Sequence, residues 1–97
     1  MDLDQTLNDA LALGDEGRWE EMAALLALAL SEEPDEPNLL CWLGVAYREA
    51  GQDGVAYDYF KRCWQQDPLD PHVLAMCGAG LAAFDDPDAE AALRAAA

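Results

Sequence analysis

The sequence predicts an all-α fold built from helical hairpins that stack side by side. The chain of 97 residues repeats at a spacing of 34, because Pro34 and Gly44 recur as Pro68 and Gly78. A fixed period of this length is typical of stacked supersecondary units that cannot bury their apolar faces alone. Alanine, leucine and acidic residues dominate and β-branched residues are rare. Such a composition favours helix over strand, because unbranched side chains lose little rotamer freedom on a helix.

The first third of the chain predicts two helices. The first is expected from an N-cap at Asp2 to Leu13, with the glycine-containing segment 14–17 breaking it. The second is expected over residues 19–32 and should end before Pro34, because proline cannot continue a helix.

Two more helices are expected in the central third. The segment SEEPDEP at 31–37 is expected to end one helix and begin the next. Proline cannot continue a helix, so Pro34 marks the end, but it is tolerated in the first turn, so Pro37 can begin a new helix. The third helix should cover about 38–50 and end at Gly51. The fourth should cover about 53–66.

The last third of the chain contains the same signals for the end of one helix and the start of the next. The segment DPLDP at 67–71 ends one helix and starts a fifth, expected over about 72–84. Asp86 and Pro87 should cap and open a short sixth helix that ends near residue 96. The intervening loops are only about three to five residues long, so neighbouring helices are expected to pack antiparallel.

One stripe of the third helix predicts how the helices pair. Leu40, Leu43, Gly44 and Tyr47 lie at positions i, i+3, i+4 and i+7, which share one helix face. Glycine inside a helix costs about 1 kcal/mol relative to alanine. Its recurrence at Gly44 and Gly78 therefore predicts a close helix–helix approach that offsets this cost.

Residues 37–70 resemble a tetratricopeptide repeat, whose pattern is Trp-x2-Leu-Gly-x2-Tyr, then Ala-x3-Phe, then Pro. Leu40 holds the tryptophan position, and the other pattern positions match at Leu43, Gly44, Tyr47, Ala56, Phe60 and Pro68. Residues 3–36 look like a weaker copy. Residues 71–97 match a partial third copy after one deletion, which aligns Ala89, Leu93 and Ala96. The resemblance implies a right-handed superhelix of about three antiparallel helical hairpins in a single domain, residues 1–97.

The resemblance also implies a binding groove. In tetratricopeptide proteins the first helix of each hairpin lines a concave surface that holds a peptide. Carried over, the apolar part of this groove would be Leu7, Leu11, Cys41, Trp42, Val45, Met76 and Ala79, with a rim of Asn8, Asn38, Arg48, Glu49 and His72. Some family members clamp a terminal carboxylate with lysine, arginine and asparagine. The residues that stand at those places here are Leu7, Leu11, Trp42, His72 and Met76. An apolar or amphipathic segment is therefore the expected ligand, bound by an adaptor or chaperone.

Two alternatives stand beside this interpretation. Trp42 and Met76 could contact each other, or the ends of the short array, and complete a core without binding anything. Alternatively, exposed apolar faces at the ends of the array, around Leu25 and Leu93, could pair two copies. The chain would then be a self-associating structural or assembly subunit, such as a homodimer.

The net charge restricts the class of partner. The chain contains five lysine and arginine residues and 20 aspartate and glutamate residues, which gives a formal charge of −15. Nucleic acid and anionic membranes are poor partners for such a chain, and a protein segment with neutral or basic flanks fits better. Solubility alone is the other explanation of the charge. The acidic N-terminus has no signal-peptide pattern, and the longest apolar run is too short to span a bilayer, so a cytoplasmic location is expected.

No motif in the sequence indicates catalysis or a cofactor. Cys41, Cys63 and Cys77 lack CxxC spacing and are expected to be reduced core residues. A metal site shared with His72 would need a long-range convergence that no local pattern supports. No nucleophile, phosphate-loop or metalloprotease motif occurs. Adjacent acids such as Asp85-Asp86 are expected to be solvated or to cap helices.

Overall fold

The protein is all-helical, as the sequence predicts. The structure, a computed structural model, describes residues 2–97. This part of the chain contains six α-helices and no strand. The helices are α1 (Leu3–Asp15), α2 (Trp19–Glu32), α3 (Pro37–Glu49), α4 (Asp53–Gln65), α5 (Pro71–Ala82) and α6 (Asp88–Ala96).

Helices α3 and α5 begin in the same way, 34 residues apart. The Glu36 carboxylate accepts a hydrogen bond from the Leu39 amide at 3.0 Å. The Asp70 carboxylate accepts one from the His72 amide at 2.8 Å. A proline follows each capping residue at the first helical position, where its missing N–H leaves no helical bond unmade. The repeat read from the sequence is therefore a repeat of local structure.

The predicted break over residues 14–17 is confirmed, although Gly14 itself does not end α1. Helix α1 continues through Gly14 to Asp15, and the chain turns at Gly17, whose φ of +74° lies in the left-handed region. Gly14 is buried, and a Cβ there would lie 3.0 Å from atoms of both Trp19 and Met22. This glycine therefore allows α2 to approach closely, rather than ending α1.

Helix α5 ends two residues before the predicted Phe84. Asp85 adopts a φ of +54°, and the Asp86 amide donates to the Leu81 carbonyl at 3.2 Å. These features close the helix and turn the chain toward α6. The other predicted ends agree with the structure to within one or two residues, as terminal fraying allows.

Consecutive helices pack against each other along the chain, and α3 also contacts α5. The main buried cluster draws residues from α1 to α5. A smaller cluster unites α4, α5 and α6 through Ala56, Phe60, Leu81 and Ala89. Tyr47 packs against both clusters. The six helices thus pack into one unit, in which α3 is central because it contacts α2, α4 and α5.

The expected close approach at Gly44 and Gly78 is confirmed. A Cβ at Gly44 would lie 2.8 Å from the Phe60 ring, and one at Gly78 would lie 2.6 Å from Leu93. The single deletion assumed for the third repeat aligns Leu93 with Phe60, and these two side chains make the equivalent contact. Phe60 also lies against Gly80 of α5, so this one ring fills the space between two glycine-bearing helices. The sequence pattern did not reveal the contact with Gly80.

The three cysteines are free and completely buried, as expected for core residues. Hydrogen bonding to the thiols of Cys63 and Cys77, together with burial, raises the pKa of Cys41 far above its usual value. Within residues 2–97 no group of His, Cys, Asp and Glu side chains is arranged to hold a metal ion. None of the helices in this range is both long and apolar enough to cross a membrane.

Asp86 is buried, contrary to the expectation that the Asp85-Asp86 pair is solvated or only caps a helix. It is 8% exposed and accepts hydrogen bonds from the Tyr57 hydroxyl and from Lys61 Nζ, the latter at 2.9 Å. It also caps α6 through the Asp88 amide at 2.8 Å. Lys61 bonds Asp88 as well, at 2.7 Å. This group, the Asp86 cluster, ties α4 to the start of α6, and its long-range contacts leave no local sequence signal.

The Asp86 cluster predicts an acid-sensitive contribution to stability. Hydrogen bonds from Tyr57 and Lys61 lower the pKa of Asp86 from 3.8 to about 2. A depressed carboxyl pKa stabilises the fold above the unfolded-state pKa, and this contribution is lost as the pH falls from about 4 through 2. We expect Asp86→Asn to be less stable at pH 7 and to approach the native chain below pH 4, as measured by urea unfolding.

Asp85, the exposed residue that precedes Asp86, provides the control for the urea-unfolding measurement. Asp85→Asn should stay folded, because asparagine also tolerates a left-handed backbone. It keeps the hydrogen bonds of Asp86 to Tyr57 and Lys61, so its stability should depend on pH as that of the native chain does. A difference between Asp86→Asn and the native chain that stayed constant from pH 7 to pH 2 would contradict the assignment.

Candidate functional site

A surface trough lies between α3 and α5. Trp42, Val45 and Arg48 line it from α3, and His72, Met76 and Ala79 line it from α5. Its volume is about 240 Å³. These six residues are called the trough below.

The trough exists because the opposite faces of both helices are buried. Residues 42, 45 and 48 are three apart and share one face of α3, whereas Leu40, Leu43 and Gly44 point into the core. On α5, residues 72, 76 and 79 share a face in the same way, while Cys77 and Gly78 are buried. Burial of the stripe predicted from the sequence therefore turns the second apolar face of each helix outward.

Trp42 and Met76 are only partly buried. Both pack against the main core with one side, and their other sides border the trough. The Trp42 ring lies 6.3 Å from the His72 ring, measured between centroids, with the planes tilted by 43°. The chain itself does not enclose the indole. Part of a large aromatic surface is therefore left for contact with something else.

The trough differs in charge from three other cavities on the surface of residues 2–97. Its polar lining consists of Arg48 and His72, and no carboxylate belongs to it. Three further cavities of about 230–460 Å³ each include at least one carboxylate in their lining, namely Glu20, Glu21 or Asp58. The chain has 20 acidic residues and 5 basic ones, so a cavity that is lined by an arginine and a histidine but by no carboxylate is unusual for this surface.

The Arg48 guanidinium makes few contacts within the protein. Its central carbon lies 5.7 Å from the centroid of the Phe60 ring, and its Nε lies 3.8 Å from a Glu49 carboxylate oxygen. No hydrogen bond within the described range 2–97 uses this guanidinium. Arg18, Lys61 and Arg94, in contrast, all donate to carboxylates. Arg62 resembles Arg48 in lying over an aromatic ring, that of Tyr59, but it is outside the trough. Arg48 thus offers hydrogen-bond donors at the end of the trough.

The sequence-predicted groove is only partly one surface. Six of its members form the trough, but Cys41 does not. Cys41 is completely buried, because it faces Cys63 and Cys77 in the core rather than the outer face of α3. The expectation that Cys41 lines the groove is therefore wrong.

Other predicted groove residues lie outside the trough lining. Leu7 and Leu11 are partly buried against the main core. Asn38 donates to the Glu36 carboxylate at 3.4 Å, near the start of α3. Glu49 is exposed and reaches the trough only through its contact with Arg48. Asn8 is exposed on α1.

Comparison of the chain with protein-family models and with curated proteins gives no match. The resemblance to a tetratricopeptide repeat therefore rests on the residues of the repeat itself.

Proposed function

We propose that this protein is an interaction module that holds an apolar or amphipathic segment of a partner protein in the trough. The observation that carries the proposal is the partial exposure of Trp42 and Met76 in a cavity with no carboxylate in its lining. Partly exposed aromatic and methionine side chains are enriched where proteins bind one another. Burial of the second side of Trp42 would supply the binding free energy.

The size of the trough favours a peptide over a small molecule. Its volume of about 240 Å³ is below the roughly 300–1,000 Å³ typical of sites for drug-sized ligands. Arg48 lies six residues from Trp42, which corresponds to about 9 Å along the helix axis. A trough of this length suits the side chains on about two turns of a partner helix.

A tetratricopeptide-like architecture supports the same function. Under this proposal the helical hairpins form a right-handed superhelix, and the trough is part of its concave wall. The repeated caps at Glu36 and Asp70, and the equivalent contacts of Gly44 and Gly78, support a regular repeat. The protein would act as a small adaptor or chaperone in the cytoplasm, without catalysis, cofactor or nucleic acid. The net charge of −15 favours partners with neutral or basic flanks.

A charge placed in the trough tests the proposal. A displayed library of short random peptides, selected on the native protein, should yield apolar or amphipathic sequences. We expect Ala79→Glu to weaken these peptides at least tenfold, because it puts a carboxylate beside their apolar side chains. Fluorescence anisotropy with the selected peptides measures the affinity.

The matched control for this substitution is Ala91→Glu. Ala91 is also an exposed helical alanine, but it lies on α6 away from the trough. Equal affinity of the native protein and Ala79→Glu, with both folded by circular dichroism, would exclude the trough as the binding surface.

Self-association is the second candidate function. Leu93 on α6 is 44% exposed, but Leu25, expected to be exposed with it, is partly buried against the main core. Leu28, also on α2, is 58% exposed instead, and exposed apolar surface can join copies of a chain. Light scattering distinguishes the two functions. A mass that rises with concentration while the selected peptides fail to bind would favour self-association over peptide binding.

A further inference from the structure

We infer that the segment held in the trough carries an acidic side chain that binds the Arg48 guanidinium, next to its apolar anchors. This inference rests on the proposed function and names the chemistry of the ligand. It adds a specific polar contact to an otherwise apolar mode of binding. Outside that contact, the segment is neutral or basic.

The first argument is that Arg48 has unused donors. A guanidinium carries five N–H donors in a planar fork that matches a carboxylate. Within residues 2–97, these donors approach one carboxylate oxygen, that of Glu49, at 3.8 Å from Nε, which is beyond hydrogen-bond distance. Its side chain is 37% exposed, so a bound segment would remove it further from water. Leaving those donors unpaired would oppose binding, and a carboxylate on the ligand would satisfy them.

The second argument is the position of Arg48 over a buried aromatic ring. The guanidinium lies over the Phe60 ring, and Phe60 is completely buried between glycine-bearing helices. A side chain held over a fixed ring loses less freedom when it binds than a fully solvated arginine does. Arg94 is the contrast, since it is 76% exposed and already paired with Glu90. Arg48 is therefore suited to form specific hydrogen bonds with a carboxylate of the bound segment, in addition to attracting negative charge.

The third argument concerns charge at two length scales. At long range the chain, with a charge of −15, repels acidic segments and attracts basic ones. At contact range, the trough lining contains Arg48 and His72 and no carboxylate. A segment with one acidic residue at Arg48 and neutral or basic residues elsewhere satisfies both. Since salt screens the long-range repulsion more than a partly buried pair, the advantage of the acidic residue should persist as salt is raised.

Three synthetic peptides test the inference. They share one apolar helical sequence with leucine and methionine anchors, and each is acetylated and amidated so that no terminal charge remains. They differ at one position, about two helical turns from the first anchor, which is glutamate, glutamine or lysine. We expect the glutamate peptide to bind about tenfold more tightly than the glutamine peptide at 0.15 M salt, roughly the physiological value.

Variants of the protein assign the preference to Arg48. Arg48→Gln should abolish the advantage of the glutamate peptide, so that the glutamate and glutamine peptides bind this variant with equal affinity. Glu49→Gln should increase the advantage, because it removes the carboxylate that competes for Arg48. Arg94→Gln, the matched loss of one arginine, should change nothing. Thermal unfolding of each variant shows whether it is folded. If Arg48→Gln is not folded, Arg48→Lys replaces it, because lysine keeps the charge but lacks the planar fork of donors.

The outcomes separate the inference from the proposed function. Equal binding of all three peptides, or tightest binding of the lysine peptide, would overturn the role of Arg48 while the apolar trough still binds. No binding by any peptide, together with no selection from the displayed library, would overturn both. A glutamate preference that survives in Arg48→Gln would assign the carboxylate to another part of the surface and overturn the inference.

Discussion

Truncation of Phe60 to alanine is expected to destabilise the fold by about 3–5 kcal/mol, the range for removing a buried aromatic ring. Phe60 is completely buried and fills the space between Gly44 of α3 and Gly80 of α5. Glycine at both places leaves no neighbouring side chain to occupy the cavity. A domain of this size is stable by only about 5–15 kcal/mol, so the loss is a large fraction of the total. Urea unfolding monitored by circular dichroism measures it.

A double-mutant cycle identifies the contact responsible. Gly80→Ala alone should destabilise the native chain by about 1–3 kcal/mol, because its Cβ would overlap the Phe60 ring. In the Phe60→Ala background the same methyl group enters the cavity, and its cost should disappear. Additive effects of the two substitutions would show that Phe60 does not hold α4 against α5 as described. Gly54→Ala is a useful control, since a Cβ at Gly54 meets nothing within 4 Å.

Replacement of Trp42 by alanine is expected to weaken a partner peptide by about 2–4 kcal/mol, the cost of losing a central aromatic anchor. This corresponds to a dissociation constant roughly 30-fold to 1,000-fold higher. The indole is half-buried, borders the trough and lies 6.3 Å from the His72 ring, so a bound segment would cover its remaining surface. Titration of the peptides selected from the displayed library, with anisotropy as the readout, measures the effect.

Trp64 provides the control for Trp42. It is also a half-buried tryptophan, but it lies on α4 and packs against the smaller core cluster, outside the trough. Trp64→Ala should leave peptide affinity unchanged, although it removes the same side chain. An unchanged dissociation constant for Trp42→Ala, with the variant folded, would remove the trough from consideration and leave self-association as the stronger candidate.

The helices could be predicted closely because their signals are local. The Glu36 and Asp70 caps, and the prolines that follow them, act within one turn of the chain. Helix α1 runs two residues past the predicted Leu13, because Gly14 is a helical residue against which Trp19 and Met22 pack rather than a helix end. Propensity alone does not distinguish these two uses of glycine, because the distinction depends on a neighbouring helix.

The candidate site was predictable in part for the same reason. All six residues of the trough were expected on one surface, because helical periodicity places them on the outer faces of α3 and α5. Cys41 was misplaced because it lies at the boundary between the two faces of α3, where periodicity does not decide which side is buried. The unpaired state of Arg48 and the burial of Asp86 depend on residues distant in sequence, and no local pattern indicates either.

Local signals in the sequence predict the helical class, the 34-residue repeat, the caps, and two of the glycines at which helices approach each other, Gly44 and Gly78. These properties follow from backbone geometry and side-chain periodicity over a few turns. Packing between helices places Phe60 between two glycine-bearing helices and buries Asp86 with Tyr57 and Lys61. It also leaves the Arg48 guanidinium beside the trough without a hydrogen bond to residues 2–97. The reason is physical, since each of these depends on which side chains meet across helices, and that is settled by packing rather than by local propensity.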